Sequence, residues 1–428
     1  MSTTLGVGII GVGRRGYDLA ECVIRLHAGI DLELRALCNR TPVRAEQARE
    51  DLGRLASSVG APSDIRVYPD FDRRIEDPTV QVVMICTPQY AHKEPALSAI
   101  RRNKKVYVDK PLAHNLEDSL AIYRCQKQTG NEIIMSFTRR FEQSWLDAFD
   151  LVHPEKAIGR LRMIQVRNII PYHTYFHTWH RRTEWSGGAI ADKMSHIFDV
   201  FNWFAMDTAV KVSAFGGQAV FAPDPDAPER CLLCERDCPY RVAAPRLSSS
   251  REGGCHCLTP GTRGRPDEMV DRDDTRLLET EILKRHDTCV WYPGADIDDH
   301  GVVSIEYEHG LKASLFWSLF GPDSDDQETL ELVGDKGRVI LTRQTGTIDL
   351  VTDYGKTHNL IEQRSEGFTR SHFGADDNFI VELDRFAKGA APTASAKEGL
   401  EASRIVEACH RSIREGGRLI HMTEVAAN

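Results

Sequence analysis

A glycine turn seated between a strand and a helix, at the very start of the chain, constrains the fold more than any other feature. Residues 5–10 form a short apolar run, Gly11-Val12-Gly13-Arg14-Arg15-Gly16 follows, and residues 14–28 carry helical spacing. In such a frame the first glycine permits a tight turn and the second lets the backbone approach a pyrophosphate. The third lets helix and sheet pack closely, and the helix N-terminus attracts the anion. The strand before and the helix after separate this pattern from an ordinary flexible turn.

The alternation continues downstream. Residues 32–38 read as a strand, and Thr41 is placed to cap the Ala- and Glu-rich helix that follows. Residues 80–86 form a nearly continuous apolar run, as expected of a strand buried on both faces. Strands at 104–108 and 132–137, with helices at 91–102 and 115–128, complete an α/β pattern. The expectation for residues 1–141 is a Rossmann domain, a doubly wound parallel sheet with right-handed crossovers.

Beyond residue 141 the pattern changes. Runs at 161–167, 302–307 and 311–317 alternate apolar and polar residues. They predict a C-terminal α+β domain over 142–428 with a large, open, mostly antiparallel sheet. A Pro-, Arg-, Asp- and Cys-rich stretch, about 222–290, reads as an insertion with little regular structure. A helix over 397–415 precedes a short strand at 418–422.

At 428 residues the chain is too long for one core, and about 150 residues per domain implies two or three. A net charge of −9 disfavours nucleic-acid binding, which needs a basic face. No run approaches the roughly 18 apolar residues of a membrane span, and glycines and arginines interrupt the opening segment where a signal peptide would be apolar. The expected location is cytoplasmic, with no membrane partner.

The second strand ends in Cys38-Asn39-Arg40-Thr41, where an acidic residue ordinarily binds the ribose hydroxyls. Asn39 can still hydrogen-bond a ribose, but repulsion of a 2′-phosphate is lost and Arg40 could accept one. NAD is the expected cofactor, with NADP the alternative. Lys110 sits in Val106-Tyr107-Val108-Asp109-Lys110-Pro111-Leu112, and Asp192-Lys193-Met194-Ser195-His196 lies far downstream. On a helix Asp192 and His196 are i and i+4, so Asp192, Lys193 and His196 crowd one side. Oxidising a secondary alcohol needs a base for the hydroxyl proton, and a histidine oriented by a carboxylate supplies one. Lys110 supplies positive charge where alkoxide character develops.

The stretch from Tyr172 to Arg182 holds His173, His177, Trp179, His180 and Arg181, and Arg139 and Arg140 precede it. Aromatic faces suit a sugar ring, and His and Arg suit hydroxyls or an anion, so these residues are expected at a carbohydrate substrate, one that could be anionic. The alternative is a polar interdomain loop. Cys231, Cys234 and Cys238 give C-x2-C-x3-C, and with Cys289 they could hold a structural zinc. Cys255, Cys257 and His256 are other candidates for the fourth ligand, and free thiols are the alternative to metal.

These motifs jointly resemble the glucose–fructose oxidoreductase / inositol dehydrogenase / MocA family over nearly the whole chain. The resemblance rests on the glycine turn, Ile85-Cys86-Thr87-Pro88-Gln89-Tyr90-Ala91-His92, Asp109-Lys110-Pro111, and Gly187-Gly188 leading into Asp192 and His196. Gly334-Asp335-Lys336-Gly337 and Ala396-Lys397-Glu398-Gly399 are C-terminal echoes. It implies a Rossmann domain followed by an α/β domain whose open sheet carries substrate contacts and subunit interfaces, hence a homo-oligomer (dimer or tetramer). It also implies that Thr87 and Pro88 lie beside the nicotinamide, with His92 and Asp109 in the same cofactor-binding motifs. Lys110 would contact substrate and cofactor, and Asp192 and His196 would be the acid/base pair. The chain departs from the family in Asp109, Asn39, Lys193 and the cysteine-rich insertion.

The leading expectation is an NAD-dependent oxidoreductase acting on a secondary hydroxyl of a sugar, sugar derivative or polyol. The alternative is a redox-neutral, NAD-dependent glycosidase acting on an anionic glycoside such as a sulfoquinovoside or uronide. A non-catalytic sensor would need the site dismantled, whereas Lys110, Asp192 and His196 are all present.

Overall fold

The computed structural model describes residues 4–231, 234–241, 287–355, 357–362 and 371–425, and its two sheets lie in two compact units. The first comprises Met1–Gln143 with Arg370–Arg404, the second Ser144–Thr369 with Ile405–Ala426.

The first unit carries strands β1 (Leu5–Ile10), β2 (Leu32–Cys38), β3 (Arg66–Tyr68), β4 (Val82–Ile85), β5 (Lys105–Val108) and β6 (Ile133–Met135). They pair in parallel in the order β3-β2-β1-β4-β5-β6. The order reverses at β1, so the crevice at its C-terminal end is the topological switch point where such sheets bind ligands. Helices α1 (Arg14–Arg25), α2 (Pro42–Val59), α3 (Phe71–Glu76), α4 (Lys93–Arg101) and α5 (Leu116–Thr129) make the crossovers. All four β4 residues are buried, as a strand covered on both faces requires. Gly11 adopts φ +89°, and a Cβ at Gly16 would stand 2.1 Å from the Gly11 carbonyl oxygen. That clash gives the third glycine its packing role. Asp70 and Asn115 cap α3 and α5 through their side chains, whereas Thr41 stands at the N-cap of α2 without a side-chain bond. Pro42 at the first position pre-sets the helical φ there instead.

The second unit contains a nine-stranded sheet. Its strands are β7 (Leu161–Ile169), β8 (Ala209–Gly217), β9 (His300–Tyr307), β10 (Lys312–Ser318), β11 (Glu328–Gly334), β12 (Gly337–Thr342), β13 (Thr347–Thr352), β14 (Thr357–Glu362) and β15 (Ile420–His421). The order is β14-β13-β12-β11-β7-β10-β9-β8-β15, antiparallel except for the β7–β10 pair. β9 and β10 alternate buried and open positions along their length, the mark of a sheet covered on one face. Phe215, Val302 and Phe316 pair across β8, β9 and β10 and are 56, 40 and 52 % exposed. Helices α6 (Gln143–Val152), α7 (Thr174–His177), α8 (Thr183–Ser186) and α9 (Ser195–Ala205) lie in the same stretch of chain.

The boundary expected at residue 141 differs from the units formed. Residues 370–404 return to the first unit, bringing α10 (Ala375–Ala387) and the N-terminal part of α11 (Ala396–Arg414). α10 buries Phe379, Ile380, Leu383 and Phe386 in one cluster with Val7, Ile9, Leu19 and Val23. At about 25 cal/mol per Å² of apolar surface, four such side chains contribute several kcal/mol to a core that lacks them in local sequence. Of the insertion, the described residues 222–231, 234–241 and 287–290 hold one isolated bridge, Arg230 to Thr288, and no strand or α-helix. No helix among the described residues is long and apolar enough to cross a membrane.

Candidate active site

In the first unit the glycine turn opens directly onto α1. Gly13 is the N-cap residue, no side chain caps the helix, and the space where a Gly13 Cβ would stand has no heavy atom within 4 Å. Open backbone N–H groups at a helix start, with room beside them, fit a dinucleotide pyrophosphate. Asn39 bridges this turn to the second strand: its Oδ1 accepts from the Val12 N–H at 3.3 Å and its Nδ2 donates to the Thr41 carbonyl at 3.1 Å. Arg40 is exposed and donates to the Tyr90 hydroxyl at 3.1 Å. Arg14 is partly exposed and lies 4.0 Å from Asp18.

Arg15, counted by sequence among the cofactor-binding residues of the turn, is engaged within the protein. Its guanidinium pairs with Asp376 at 2.5 Å and Asp109 at 3.5 Å, and donates to the Ser136 hydroxyl at 3.0 Å. Burial alone would raise the Asp376 carboxyl, but Arg15 and His372 hold it well below the usual carboxylate range. Asp109 also accepts from the Tyr107 hydroxyl at 2.7 Å. Arg15 therefore anchors α10 to the sheet ends. No signal in residues 1–141 could have shown this, because Asp376 and His372 are more than 350 positions away.

Thr87, Pro88 and Lys110 are set by a buried histidine. His92 places Nε2 2.8 Å from the Thr87 carbonyl oxygen and Nδ1 3.0 Å from that of Pro111. Burial depresses its pKa. The Thr87 hydroxyl donates to the Ala91 carbonyl at 3.1 Å, and the Lys110–Pro111 peptide is cis. His92 thus ties together the two turns that carry Thr87 and Lys110, and acts on them through their backbone. Lys110 is half-buried. Nearby in the same unit, Arg139 is buried 3.6 Å from Glu142, and half-buried Arg140 donates to the Thr393 carbonyl at 3.3 Å.

In the second unit Asp192, Lys193 and His196 are 2, 9 and 6 % exposed. Local geometry departs from the α-helix expected of their spacing: Ile190–Met194 is a π-helical turn, and α9 begins only at Ser195. A π turn widens the helix by about one residue per turn and recurs at functional sites. Asp192 and Lys193 are therefore presented by the widened turn and His196 by the regular one. The Lys193 ammonium donates to the Tyr172 hydroxyl at 2.9 Å and lies 4.3 Å from the centre of its ring. Tyr172 belongs to the aromatic segment noticed in the sequence, but nothing local marks it as the partner of Lys193.

The rest of that segment divides in two. Rings pack in series, Tyr172 edge-to-face with Tyr175, Tyr175 stacked on His180, and His180 stacked on Trp179, with half-buried faces at Tyr175, Trp179 and His180. His173 is also half-buried, and burial with neighbouring His177 pushes its pKa down to about 4. His177 and Arg181 face inward instead, each 2 % exposed. His177 places its two nitrogens 2.6 Å from the Thr288 carbonyl oxygen and 2.9 Å from that of Tyr240. Arg181 donates to the carbonyls of Phe176, Cys289 and Tyr292, and burial pushes its pKa down to about 10. Both residues hold the two ends of the insertion against the segment, so main-chain carbonyls occupy the donors that sequence assigned to substrate.

The zinc expected at Cys231, Cys234, Cys238 and Cys289 is not supported by their placement. Among the described residues, the one group of three ligand-type side chains close enough to share an ion is Asp207, Glu308 and His309, outside the cysteine segment. Backbone bonds fix Cys231 to Asp287 and Cys289 to Glu229, and the Arg230–Asp287 ion pair at 2.9 Å closes the same crossing. Main-chain bonds and this ion pair join the insertion ends at that crossing. Cys255, His256 and Cys257 lie outside the described residues.

Comparison with known proteins finds family models matching both parts of the chain. Residues 5–137 match the family model of an oxidoreductase family with an NAD-binding Rossmann fold, and residues 154–420 match its C-terminal alpha/beta domain. YteT of Bacillus subtilis (strain 168) is 23% identical over 342 residues, 77% of this chain and 74% of that protein. The inositol 2-dehydrogenase/D-chiro-inositol 3-dehydrogenase of Lactiplantibacillus plantarum is 24% identical over 210 residues, 49% of this chain and 55% of the relative. Among solved structures, a levoglucosan dehydrogenase in complex with NADH and levoglucosan matches with TM-score 0.72 at 17% identity, covering 98% of this chain and 99% of that one. An NAD binding oxidoreductase from Klebsiella pneumoniae matches with TM-score 0.72 at 16% identity, covering both chains fully, 100% each. At such identities the structural matches establish the fold.

Proposed function

Because the chain belongs to the glucose–fructose oxidoreductase / inositol dehydrogenase / MocA family of NAD-binding oxidoreductases, we propose that it oxidises a secondary hydroxyl of a sugar or polyol. The observation that carries this reading is the buried Asp192-Lys193-His196 set on a π-to-α turn, in a chain whose other unit has an open helix start beside Gly13. Bound NAD would take the hydride. His196 accepts the hydroxyl proton, Asp192 orients it, and Lys110 supplies positive charge toward the developing alkoxide. Gly11, Gly13 and Gly16 hold the pyrophosphate, Asn39 the ribose, and the Thr87–Pro88 turn stands beside the nicotinamide. NAD is preferred to NADP, since Asn39 is engaged with the glycine turn and Arg40 with Tyr90.

Trp179 and His180 offer stacked, half-buried rings to a sugar face, which supports a carbohydrate substrate. The exposed row Phe215–Val302–Phe316 supports a homo-oligomer that covers the open sheet. A second reading, redox-neutral glycoside cleavage, is favoured by one observation: Lys193 serves Tyr172, so the turn carries an acid–base pair beyond the one that a simple oxidation needs.

The test is incubation with NAD and a panel of myo-inositol, levoglucosan, and neutral and anionic p-nitrophenyl glycosides, following NADH and nitrophenolate together. NADH accumulation without nitrophenolate supports the dehydrogenase. Nitrophenolate release without net NADH supports the second reading. Neither signal with any member of the panel refutes both.

A further inference from the structure

At the end of α9 away from His196, the second unit holds a cleft of about 690 Å³. Ala205, the last residue of α9, lines it. Helical rise of about 1.5 Å per residue puts Ala205 roughly 14 Å along the axis from His196, so a molecule in the cleft does not occupy the candidate acid–base site. The floor of the cleft is apolar: Val152, Phe204 and Leu311 line it, all buried, with Met206 beside them at 71 % exposure. Its rim is basic and carries Lys156, Arg160, Arg162 and Lys336. In a chain of net charge −9, this gathering of one sign runs against the overall balance.

The fold forces these cations together. The Arg160 N–H donates to Asp335 Oδ1 at 3.0 Å, the Asp335 N–H to the Arg160 carbonyl at 3.2 Å, and the Lys336 N–H to the Ile158 carbonyl at 3.0 Å. The turn between β11 and β12 is thereby locked onto residues 158–160. Gly159, at φ +73°, lets the two segments close, because a Cβ there would stand 2.2 Å from Asp335 Oδ1 and 2.9 Å from Lys336 Cγ. The acids of the cleft are already engaged. Asp335 accepts the Arg160 N–H and lies 3.5 Å from the Arg162 guanidinium. Asp207 accepts from the N–H groups of Thr208 and His309 at 2.8 and 2.9 Å, and His309 Nδ1 lies 2.9 Å from it. Lys156, Arg160 and Lys336 make no ion pair among the described residues. Like charges held at one opening repel one another, and a bound anion removes that repulsion. Lys156 and Met206 adopt φ +52° and +49°, left-handed backbone that side-chain-bearing residues rarely hold, and both line this cleft.

We propose that this cleft binds a phosphorylated small molecule, with its phosphate on Lys156, Arg160 and Lys336 and its carbon body against Phe204, Leu311 and Met206. A phosphate monoester carries about two negative charges at neutral pH, a closer match to three cations than the single charge of a carboxylate. Its oxygens suit the planar fork of Arg160 together with two point-charge ammonium groups. The volume lies within the range of about 300–1,000 Å³ usual for small-molecule sites. The apolar floor favours an ester over the free ion, since inorganic phosphate would leave that floor wet. Binding there does not depend on which hydroxyl the enzyme oxidises.

The experiment is isothermal titration calorimetry of the full-length protein, saturated with NADH so that the dinucleotide site is filled. The probes are glucose 6-phosphate, AMP, inorganic phosphate and glucose. At least one of the two esters should bind once per chain, about tenfold or more tighter than inorganic phosphate, and glucose should not displace it. Arg160→Ser combined with Lys336→Ser should weaken that ester by about tenfold or more, with no change in melting temperature because both side chains are exposed. Met206→Ser should weaken the ester and leave inorganic phosphate unaffected. No binding by either ester, or ester binding that survives the double substitution, overturns the proposal. Inorganic phosphate that binds as tightly as the esters overturns the assignment of a carbon body to the floor. A double variant that instead changes oligomer size in sedimentation velocity gives the cleft to a second copy of the chain, and equally overturns the proposal.

Discussion

Arg74 lies in the interior of the first unit with 0 % exposure, and Nε, Nη1 and Nη2 all lack a hydrogen-bond partner among the described residues. It lies against the middle of β1, where a Cβ on Gly8 would stand 2.2 Å from Nη1. Burial pushes its pKa down to about 10, against the opposing pull of Cys38, Cys86 and Asp77. A fall of that size corresponds to about 3 kcal/mol of charge burial, at about 1.4 kcal/mol per unit. The sign is destabilising: below about 10 the guanidinium is charged in both states, so the cost is present in full at neutral pH and is relieved only as pH rises through the folded value. Arg74→Met keeps an unbranched, adaptable stem and removes the charge, so the expected outcome is a gain of about 1–3 kcal/mol. For a unit of this size that raises the melting temperature by roughly 2–4 °C per kcal/mol. Differential scanning calorimetry without ligand is the assay, with Arg74→Leu as a second apolar replacement. A lower melting temperature in both variants would refute the reasoning, because it would mean that the guanidinium contributes a favourable interaction instead of an uncompensated charge.

Four further outcomes follow from the site. Lys110→Ala and His196→Ala should each lower turnover by about 10²–10⁴-fold without a change in melting temperature, and near-normal activity in both would remove the site assignment. His177→Ala removes the ring that lies between the Thr288 and Tyr240 carbonyls and the N–H that one of them accepts, so thermal unfolding should show a loss of about 1–3 kcal/mol in the second unit, with cofactor affinity unchanged. Asp376 is held below its unfolded value, so its contribution is present above the ordinary carboxylate range and fades as pH falls through it. Asp376→Asn should therefore be less stable than wild type at neutral pH, with the gap narrowing below about pH 4, and a pH-independent gap would contradict that linkage. Asn39→Asp should shift preference further toward NAD by charge repulsion of a 2′-phosphate, read as the ratio of kcat/KM for the two cofactors.

Local sequence determined the elements and the chemical vocabulary. The glycine turn, the apolar run that became β4, and the alternating strands of the second sheet are read from periods of a few residues, and the backbone obeys them because their causes are local. Gly11 must reach φ +89°, and Gly16 must pass the Gly11 carbonyl. The residue types at Lys110, Asp192 and His196 are legible too, since a lysine, a carboxylate and a histidine carry their chemistry in the side chain itself.

Tertiary structure decided the partners. Arg15 counts among the cofactor-binding residues by its place in the glycine turn, and α10, arriving from residue 375 onward, brings Asp376 to it. His177 and Arg181 looked like substrate contacts until the ends of the insertion placed carbonyls on their donors. Lys193 found Tyr172 across 21 positions, and the turn that presents it widened into a π helix that its spacing did not announce. Hydrogen bonds and ion pairs act over about 3 Å, whereas separation along the chain leaves spatial distance open. The sequence therefore states what each side chain can do, and only the folded chain determines what it does it to.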